Sequence, residues 1–131
     1  MNSLINLKSM LVIKKLIELR KCKIKCCGDS MLPNYQSGMM IEIKPIDEEI
    51  KLGDIVLYMD KKESDYLMIL HRVHYIEENI VILKGDNNFD FDIPITKDAV
   101  LGKVESDNYG LLDTNRAKNF WMKIRGEWLH E

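Results

Sequence analysis

The chain of 131 residues has little cysteine, with only Cys22, Cys26 and Cys27 crowded into six positions. An odd number of neighbouring thiols suits neither a disulfide framework nor the two spaced cysteine pairs of a structural zinc site. We therefore expect free thiols in a reducing compartment. The sequence indicates no metal and no other cofactor.

Long apolar runs are missing as well. A transmembrane helix needs roughly 20 mostly apolar residues in a row, and the best stretch here, residues 4–19, is interrupted by three lysines and Glu18. The short apolar run at residues 10–13 is not followed by the small-residue cleavage site of a secretory signal. These absences predict a small soluble protein of the cytoplasm.

Glycine and proline are few, at 7 and 3 residues, which argues against a disordered or low-complexity chain. The composition, 46% hydrophobic and 31% charged, is typical of a folded protein. A chain of this length can bury one hydrophobic core but not two independent ones.

Positive charge is concentrated at one end of the chain. Residues 1–25 contain seven lysines and arginines against Glu18 alone, a net charge of +6, whereas the whole chain carries −2, so the remaining residues carry −8. A basic segment of this kind attracts an anionic membrane surface or an acidic peptide. The alternative interpretation is a solvated helix face followed by a solvated strand face.

The hydropathy pattern predicts a mainly β domain of about six strands with a helix at each end. Residues 2–20 are good helix formers, and the apolar spacing after Asp113, which includes Trp121 and Trp128, predicts a second helix with Asp113 or Thr114 as its cap. Residues 55–59 have the continuous apolar run of a strand covered on both faces. The strands are expected at residues 21–26, 39–44, 55–59, 66–76, 80–83 and 99–104.

One serine and one histidine stand out as candidates for catalysis. Ser30 lies in a loop predicted by its Gly, Pro and Asn neighbours, and a serine becomes a strong nucleophile only when a base takes its proton. His71 shares a strand face with apolar residues such as Tyr75, whereas His74 points the other way and His130 lies at the frayed end of the chain. His71 is therefore the candidate base, and the alternative is a hydrogen-bonded core histidine.

Five segments resemble, in order, the boxes of the signal peptidase family. The match covers roughly residues 26–104, and Pro33 three positions after Ser30 makes it more specific than a lone Gly-x-Ser-Met, which self-cleaving repressors also contain. The segments are Gly28-Asp29-Ser30-Met31-Leu32-Pro33, Gly53-Asp54-Ile55-Val56, His71-Arg72-Val73, Gly85-Asp86-Asn87-Asn88 followed by Asp92, and Leu101-Gly102-Lys103-Val104.

The resemblance implies a β domain like that of signal peptidases and repressor proteases, with Ser30 as nucleophile and His71 as general base. A histidine base is typical of the branch found in the endoplasmic reticulum, archaea and some spore-forming bacteria, whereas the common bacterial branch uses lysine. Arg72 cannot replace His71, since a guanidinium stays protonated at physiological pH.

The family also implies an acidic residue, in the loop after Gly85, that orients the base. Asp92 matches that residue best, Asp86 and Asp90 are the alternatives, and Asp86 is equally well explained as a residue that hydrogen-bonds the loop backbone. The carboxylate would fix the tautomer of the imidazole and stabilise the imidazolium that forms. The backbone N–H of Ser30 is the expected oxyanion donor.

The sequence departs from the family where a typical member has a membrane anchor ahead of its serine. Residues 1–25 form here only a basic N-terminal helix and the lead-in to a strand, residues 26–112 are expected to form the catalytic domain, and residues 113–131 an amphipathic C-terminal helix. Attachment of the basic segment and the C-terminal helix to an anionic surface would make the protein peripheral to a membrane.

The resulting prediction is a serine endopeptidase that removes a signal or leader segment from a protein or peptide substrate bound in extended form. Two alternatives stay open, a catalytically silent peptide-binding module and a self-cleaving, repressor-like regulator. The repressors use lysine as base and carry a helix-turn-helix, for which the N-terminal stretch is too short. Nucleic acid is therefore not the favoured partner.

Overall fold

The computed structural model describes residues 2–105 and 110–129, and for residues 2, 3 and 127–129 only the backbone. Within these residues the chain forms eight strands, two α-helices and a short 3-10 helix at Lys97–Ala99. In chain order the elements are β1 (Asn2–Ile5), α1 (Leu7–Glu18), β2 (Cys22–Lys25), β3 (Met40–Ile43), β4 (Ile55–Lys62), β5 (Asp65–Glu77), β6 (Ile80–Lys84), β7 (Ile95–Thr96), β8 (Val100–Val104) and α2 (Thr114–Leu129).

Strands β4 and β5 lie at the centre of a six-stranded antiparallel sheet. Its order is β7-β6-β5-β4-β8, and β1 also pairs with β5. Strands β2 and β3 form a second, two-stranded sheet, which a bridge between Lys44 and Lys103 links to the first. Residues 55–58 of β4 are all buried, as their apolar run predicts.

The structure confirms the predicted mainly β domain with a helix at each end. Each of the six predicted strands is present, and β1 and β7 are additional. The prediction of helix from residue 2 was wrong, because Asn2–Ile5 pairs in register with β5 from Ile69 to Tyr66. Helix α1 begins only at Leu7, where the side chain of Asn6 caps it by accepting a hydrogen bond from the Ser9 amide at 2.8 Å.

The core consists of three groups of buried side chains. One lies between β2, β3 and the sheet and includes Met31 and Leu70, and a second lies on the opposite face with Val56 and Val73. The third joins α2 to β6 through Trp121. Packing within these three groups holds the loops after β2 and β6 against β5. Within the described residues, neither helix is long and apolar enough to span a membrane.

Candidate active site

Ser30 lies in the turn that follows β2, half-buried, with its Oγ 3.2 Å from Nε2 of His71. The turn is anchored to the loop after β6, because the Asn87 amide donates to the carbonyl oxygen of Ser30 at 2.8 Å. The 3.2 Å between Ser30 Oγ and His71 Nε2 is within reach for proton transfer from a hydroxyl to an imidazole. The structure thus brings together the two residues that the sequence proposes as nucleophile and base.

Gly85 makes the close approach of these loops sterically possible. A Cβ at this position would lie 2.6 Å from the carbonyl oxygen of Ser30 and 3.0 Å from Nε2 of His71. Any larger residue would therefore push against the backbone of the Ser30 turn and against the imidazole. The glycine is part of the geometry of the site and not only of the turn after β6.

His71 is held by the central strands of the sheet. It pairs with Val56 of β4, and only 5% of its surface is exposed. Its Nδ1 lies 2.5 Å from Oδ2 of Asp92. A carboxylate only accepts hydrogen bonds, so the network assigns the proton of neutral His71 to Nδ1 and leaves the Nε2 lone pair facing Ser30. This is the tautomer that a general base requires.

Asp92 reaches the imidazole from the loop between β6 and β7. Its amide donates to the carbonyl oxygen of Leu83 at 2.8 Å, and 15% of its side chain is exposed. The hydroxyl of Tyr58 donates to the same Oδ2 atom at 2.8 Å. Sequence reasoning did not select Tyr58, and its only signal was a phenol within an otherwise aliphatic buried strand.

The other two acidic candidates lie elsewhere. Asp90 is exposed on the loop. Asp86 accepts a two-point hydrogen bond from Arg72, at 2.7 and 2.8 Å, and a further one from the side-chain amide of Asn34 at 2.6 Å. Burial alone would raise the pKa of Asp86, but the hydrogen bonds from Arg72 and Asn34 and the charge of Arg72 outweigh burial and lower it. Asp86 is therefore engaged as the partner of a buried cation.

His74 belongs to a different environment, although it is only three residues from His71. Its Nδ1 accepts a hydrogen bond from the Asp113 amide at 2.9 Å, and its Nε2 is buried without a partner among the described residues. Burial, followed by the charge of Lys84, lowers the pKa of His74 to about 4. A register shift between Val73 and Tyr75 turns the strand here, so Tyr75 packs with α2 and not on the face of His71. His130 lies outside the described residues.

Two of the three cysteines, Cys22 and Cys26, are buried in the core. Burial raises the pKa of Cys22 and of Cys26, which disfavours the reactive thiolate. Within residues 2–105 and 110–129, no three His, Cys, Asp or Glu side chains are placed to hold a metal ion.

A pocket of about 290 Å³ opens beside the site. It is lined by Tyr58, Met59, Asp60, Ile69, Asp92, Ile93, Pro94 and Ile95.

Comparison with known proteins finds relatives of one kind. The chain is 40% identical over 63 residues, 45% of its own length, to a signal peptidase complex catalytic subunit SEC11 of Lodderomyces elongisporus. It is 37% identical over 71 residues, 50% of its length, to the SEC11 subunit of Zygosaccharomyces rouxii, and 37% identical over 73 residues, also 50%, to that of Lachancea thermotolerans.

These alignments cover only part of each protein. The chain spans 37%, 41% and 42% of the length of these three relatives. No family model and no solved structure matches the chain. The predicted cytoplasmic location is wrong, because the relatives are subunits of a signal peptidase complex, which is a membrane complex and not a cytoplasmic protein.

Proposed function

We propose that the chain, which is similar over about half of its length to signal peptidase catalytic subunits, belongs to the signal peptidase family and is a serine endopeptidase that removes a signal or leader segment from a protein or peptide substrate. The observation that carries the proposal is the contact of Ser30 Oγ with His71 Nε2 at 3.2 Å. The contact of His71 Nδ1 with Asp92 at 2.5 Å supports it, since it orients the base.

In the proposed reaction Ser30 Oγ attacks the carbonyl carbon of the scissile peptide bond while His71 Nε2 accepts the hydroxyl proton. The tetrahedral intermediate collapses when His71 returns that proton to the leaving amine, which leaves an acyl group on Ser30. A water molecule, deprotonated by the same Nε2, then hydrolyses the ester and restores the serine. Asp92 accepts the hydrogen bond from Nδ1 throughout and stabilises the imidazolium.

The oxyanion of each tetrahedral intermediate needs preorganised donors. We propose the backbone N–H of Ser30 as one of them, because it is carried by the same turn that presents the nucleophile. A donor of this kind lowers the barrier by about 3 to 4 kcal/mol. Gly28, two residues earlier, has no side chain that could add a hydroxyl.

The test is cleavage of synthetic peptides, with small residues at variable positions, read by mass spectrometry. We expect cleavage at one bond by the unmodified protein and none by Ser30→Ala or His71→Ala. Ser37→Ala is the matched control, since Ser37 is an exposed serine seven positions further along the same loop region. Cleavage retained by Ser30→Ala would refute the proposed nucleophile, and binding without cleavage by every protein would favour the silent peptide-binding module.

We also propose that the basic N-terminal segment contacts an anionic lipid surface. Helix α1 exposes Lys8, Lys14 and Lys15 beside Leu7 and Leu11, which are 50% and 52% exposed. Exposed lysines and apolar side chains together favour an acidic membrane surface. Sedimentation with phosphatidylglycerol vesicles should exceed that with phosphatidylcholine vesicles, and Lys14→Gln with Lys15→Gln should reduce the difference. Equal sedimentation with both lipids would contradict the contact.

A further inference from the structure

Tyr58 shares with His71 a single carboxylate oxygen. Its hydroxyl donates to Oδ2 of Asp92 at 2.8 Å, and the same Oδ2 lies 2.5 Å from Nδ1 of His71. The phenol is 4% exposed. Ser30, His71, Asp92 and Tyr58 thus form one continuous chain of hydrogen bonds, in which Tyr58 is the member farthest from the nucleophile.

The register of the sheet fixes Tyr58 and His71 relative to each other. Val56 and Tyr58 point to the same face of β4, and they pair with His71 and Ile69 of β5. Both rings therefore project from central strands on one face of the sheet. Asp92, in contrast, is supplied by a loop, where the backbone alone does not fix the carboxylate.

Tyr58 is a permanent donor at this position. Its burial, together with the charge of Asp92, raises the pKa of the phenol far above its ordinary value, so the hydroxyl stays protonated at any working pH. Both residues also line the pocket of about 290 Å³ beside the site. The phenol thus satisfies an oxygen that would otherwise depend on water from that pocket.

We propose that Tyr58 is a positioning residue that holds Asp92 in the orientation in which it accepts the hydrogen bond from Nδ1–H of His71. This inference rests on the proposed function. If the carboxylate loses the phenol, it can rotate away from the imidazole, and His71 then loses both the favoured tautomer and the stabilised imidazolium. Tyr58 itself touches none of the reacting atoms.

The decisive variant is Tyr58→Phe, which removes one oxygen and keeps the ring. We expect kcat to fall about 10- to 100-fold, the usual worth of a hydrogen bond to a charged group. KM should change less than about twofold, because the proposed role acts through Asp92 and not on substrate binding. Tyr75→Phe is the matched control, because the Tyr75 hydroxyl donates at 2.9 Å to Glu77, away from the site. It should leave kcat unchanged.

A double variant separates positioning from a general structural effect. In an Asp92→Ala background the phenol has no carboxylate to hold, so Tyr58→Phe should cause no further loss. An equal loss in that background, an unchanged kcat in the single variant, or a change confined to KM would each overturn the inference. Cleavage that survives Ser30→Ala would instead overturn the proposed function. The contact between Tyr58 and Asp92 would then be tested by NMR alone.

Proton NMR of the protein labelled with 15N-histidine tests the same contact without any turnover. The Nδ1 proton of His71 in a short hydrogen bond to a carboxylate resonates at low field, apart from the other ring protons. Tyr58→Phe should shift or broaden this resonance while Tyr75→Phe leaves it in place. An unchanged resonance in folded Tyr58→Phe would overturn the inference, whether or not a cleavable peptide is known.

Discussion

Arg72 donates from Nε and Nη2 to the two carboxylate oxygens of Asp86, at 2.7 and 2.8 Å, and its Nη1 donates to the Gly53 carbonyl oxygen at 2.9 Å. The guanidinium is completely buried, and 9% of the Asp86 side chain is exposed. The carboxylate also receives the Asn34 amide. This ion pair therefore ties β5 to the loop after β6 and to the segment after Ser30.

Removing the Asp86 charge should destabilise the fold. In Asp86→Asn the buried Arg72 cation would lose the counter-charge that Asp86 supplies, and breaking a buried ion pair typically costs about 3 to 5 kcal/mol. We expect a decrease of this size in the free energy of unfolding, measured by urea titration and circular dichroism at pH 7.

The control for this loss is Asp47→Asn. Asp47 pairs with Arg20 at the surface, where the two side chains are 60% and 55% exposed. Exposed ion pairs contribute about 0 to 1 kcal/mol, so this variant should unfold almost as the unmodified protein does. Equal stability of the two variants would show that the Arg72–Asp86 pair is not a structural anchor.

Asp92→Asn should lower the rate of cleavage and leave the stability of the fold nearly unchanged, the opposite of Asp86→Asn. An asparagine keeps the shape of the side chain but can present its amide to Nδ1 of His71, which favours the wrong tautomer and lowers kcat by on the order of 10³- to 10⁴-fold. Stability should change by less than about 1 kcal/mol, because no buried cation loses its partner. The measurement is single-turnover peptide cleavage beside thermal unfolding.

Asp90→Asn is the control, since Asp90 is exposed on the same loop and should be silent in both measurements. The three variants are thus expected to differ: Asp86→Asn lowers stability, Asp92→Asn lowers kcat, and Asp90→Asn changes neither. A large loss of kcat in Asp86→Asn at intact stability, with Asp92→Asn active, would assign to Asp86 the orienting role that we propose for Asp92.

Much of the fold could be predicted from the sequence because alternation and apolar runs are local signals. Strand β1 could not, since it exists only through pairing with β5, a contact remote in sequence that overrides the helix propensity of its residues. The cap at Asn6 was the one local signal for the true start of α1.

The candidate site was predictable to a different degree. The order of the resembling segments pointed to Ser30, to His71 and to Asp92, with Asp86 and Asp90 as alternatives for the last. A sequence contains no distances, however, and the contact between Ser30 and His71 joins residues 41 positions apart. The sequence did not single out Tyr58, because an aromatic ring fits the apolar pattern of a buried strand as well as an aliphatic side chain does. Only the fold reveals which carboxylate its hydroxyl meets.

Gly85→Ala should abolish most of the activity. The new methyl group would lie 2.6 Å from the Ser30 carbonyl oxygen, a backbone atom, and 3.0 Å from His71 Nε2, so Ser30, the proposed nucleophile, would have to move. A displacement of about 1 Å costs on the order of 10²-fold in rate, and we expect at least that loss of kcat in the peptide assay. The overpacking should also cost about 1 to 3 kcal/mol of stability.

Gly126→Ala is the corresponding control on α2, where an added Cβ meets nothing within 4 Å. Alanine in an exposed helix stabilises by up to about 1 kcal/mol over glycine. This variant should cleave peptide at the unmodified rate and unfold at a slightly higher temperature. Full activity of Gly85→Ala would contradict this prediction and show that the Ser30 turn can shift to accommodate the methyl group without loss of the active geometry.

His74 should make the fold sensitive to mild acid. Its pKa is about 4 in the folded protein against 6.5 for an unperturbed histidine, so below pH 6.5 the unfolded chain binds a proton that the folded protein does not. Stability is then complete above pH 6.5 and falls as the pH decreases to 4, by at most about 1.4 kcal/mol per pH unit. Between pH 7 and pH 5 we expect a loss of about 2 kcal/mol from this residue.

The variant that isolates this loss is His74→Gln, whose side-chain oxygen can still accept from the Asp113 amide but cannot titrate. Urea titrations at pH 7 and pH 5 should show a smaller loss for the variant, by about the 2 kcal/mol assigned to His74. Asp86 does not interfere, because its pKa is lowered from 3.8 and its contribution is lost only at still lower pH. The same pH dependence in both proteins would mean that His74 is protonated in the fold, and that its contact with the start of α2 does not require the neutral ring.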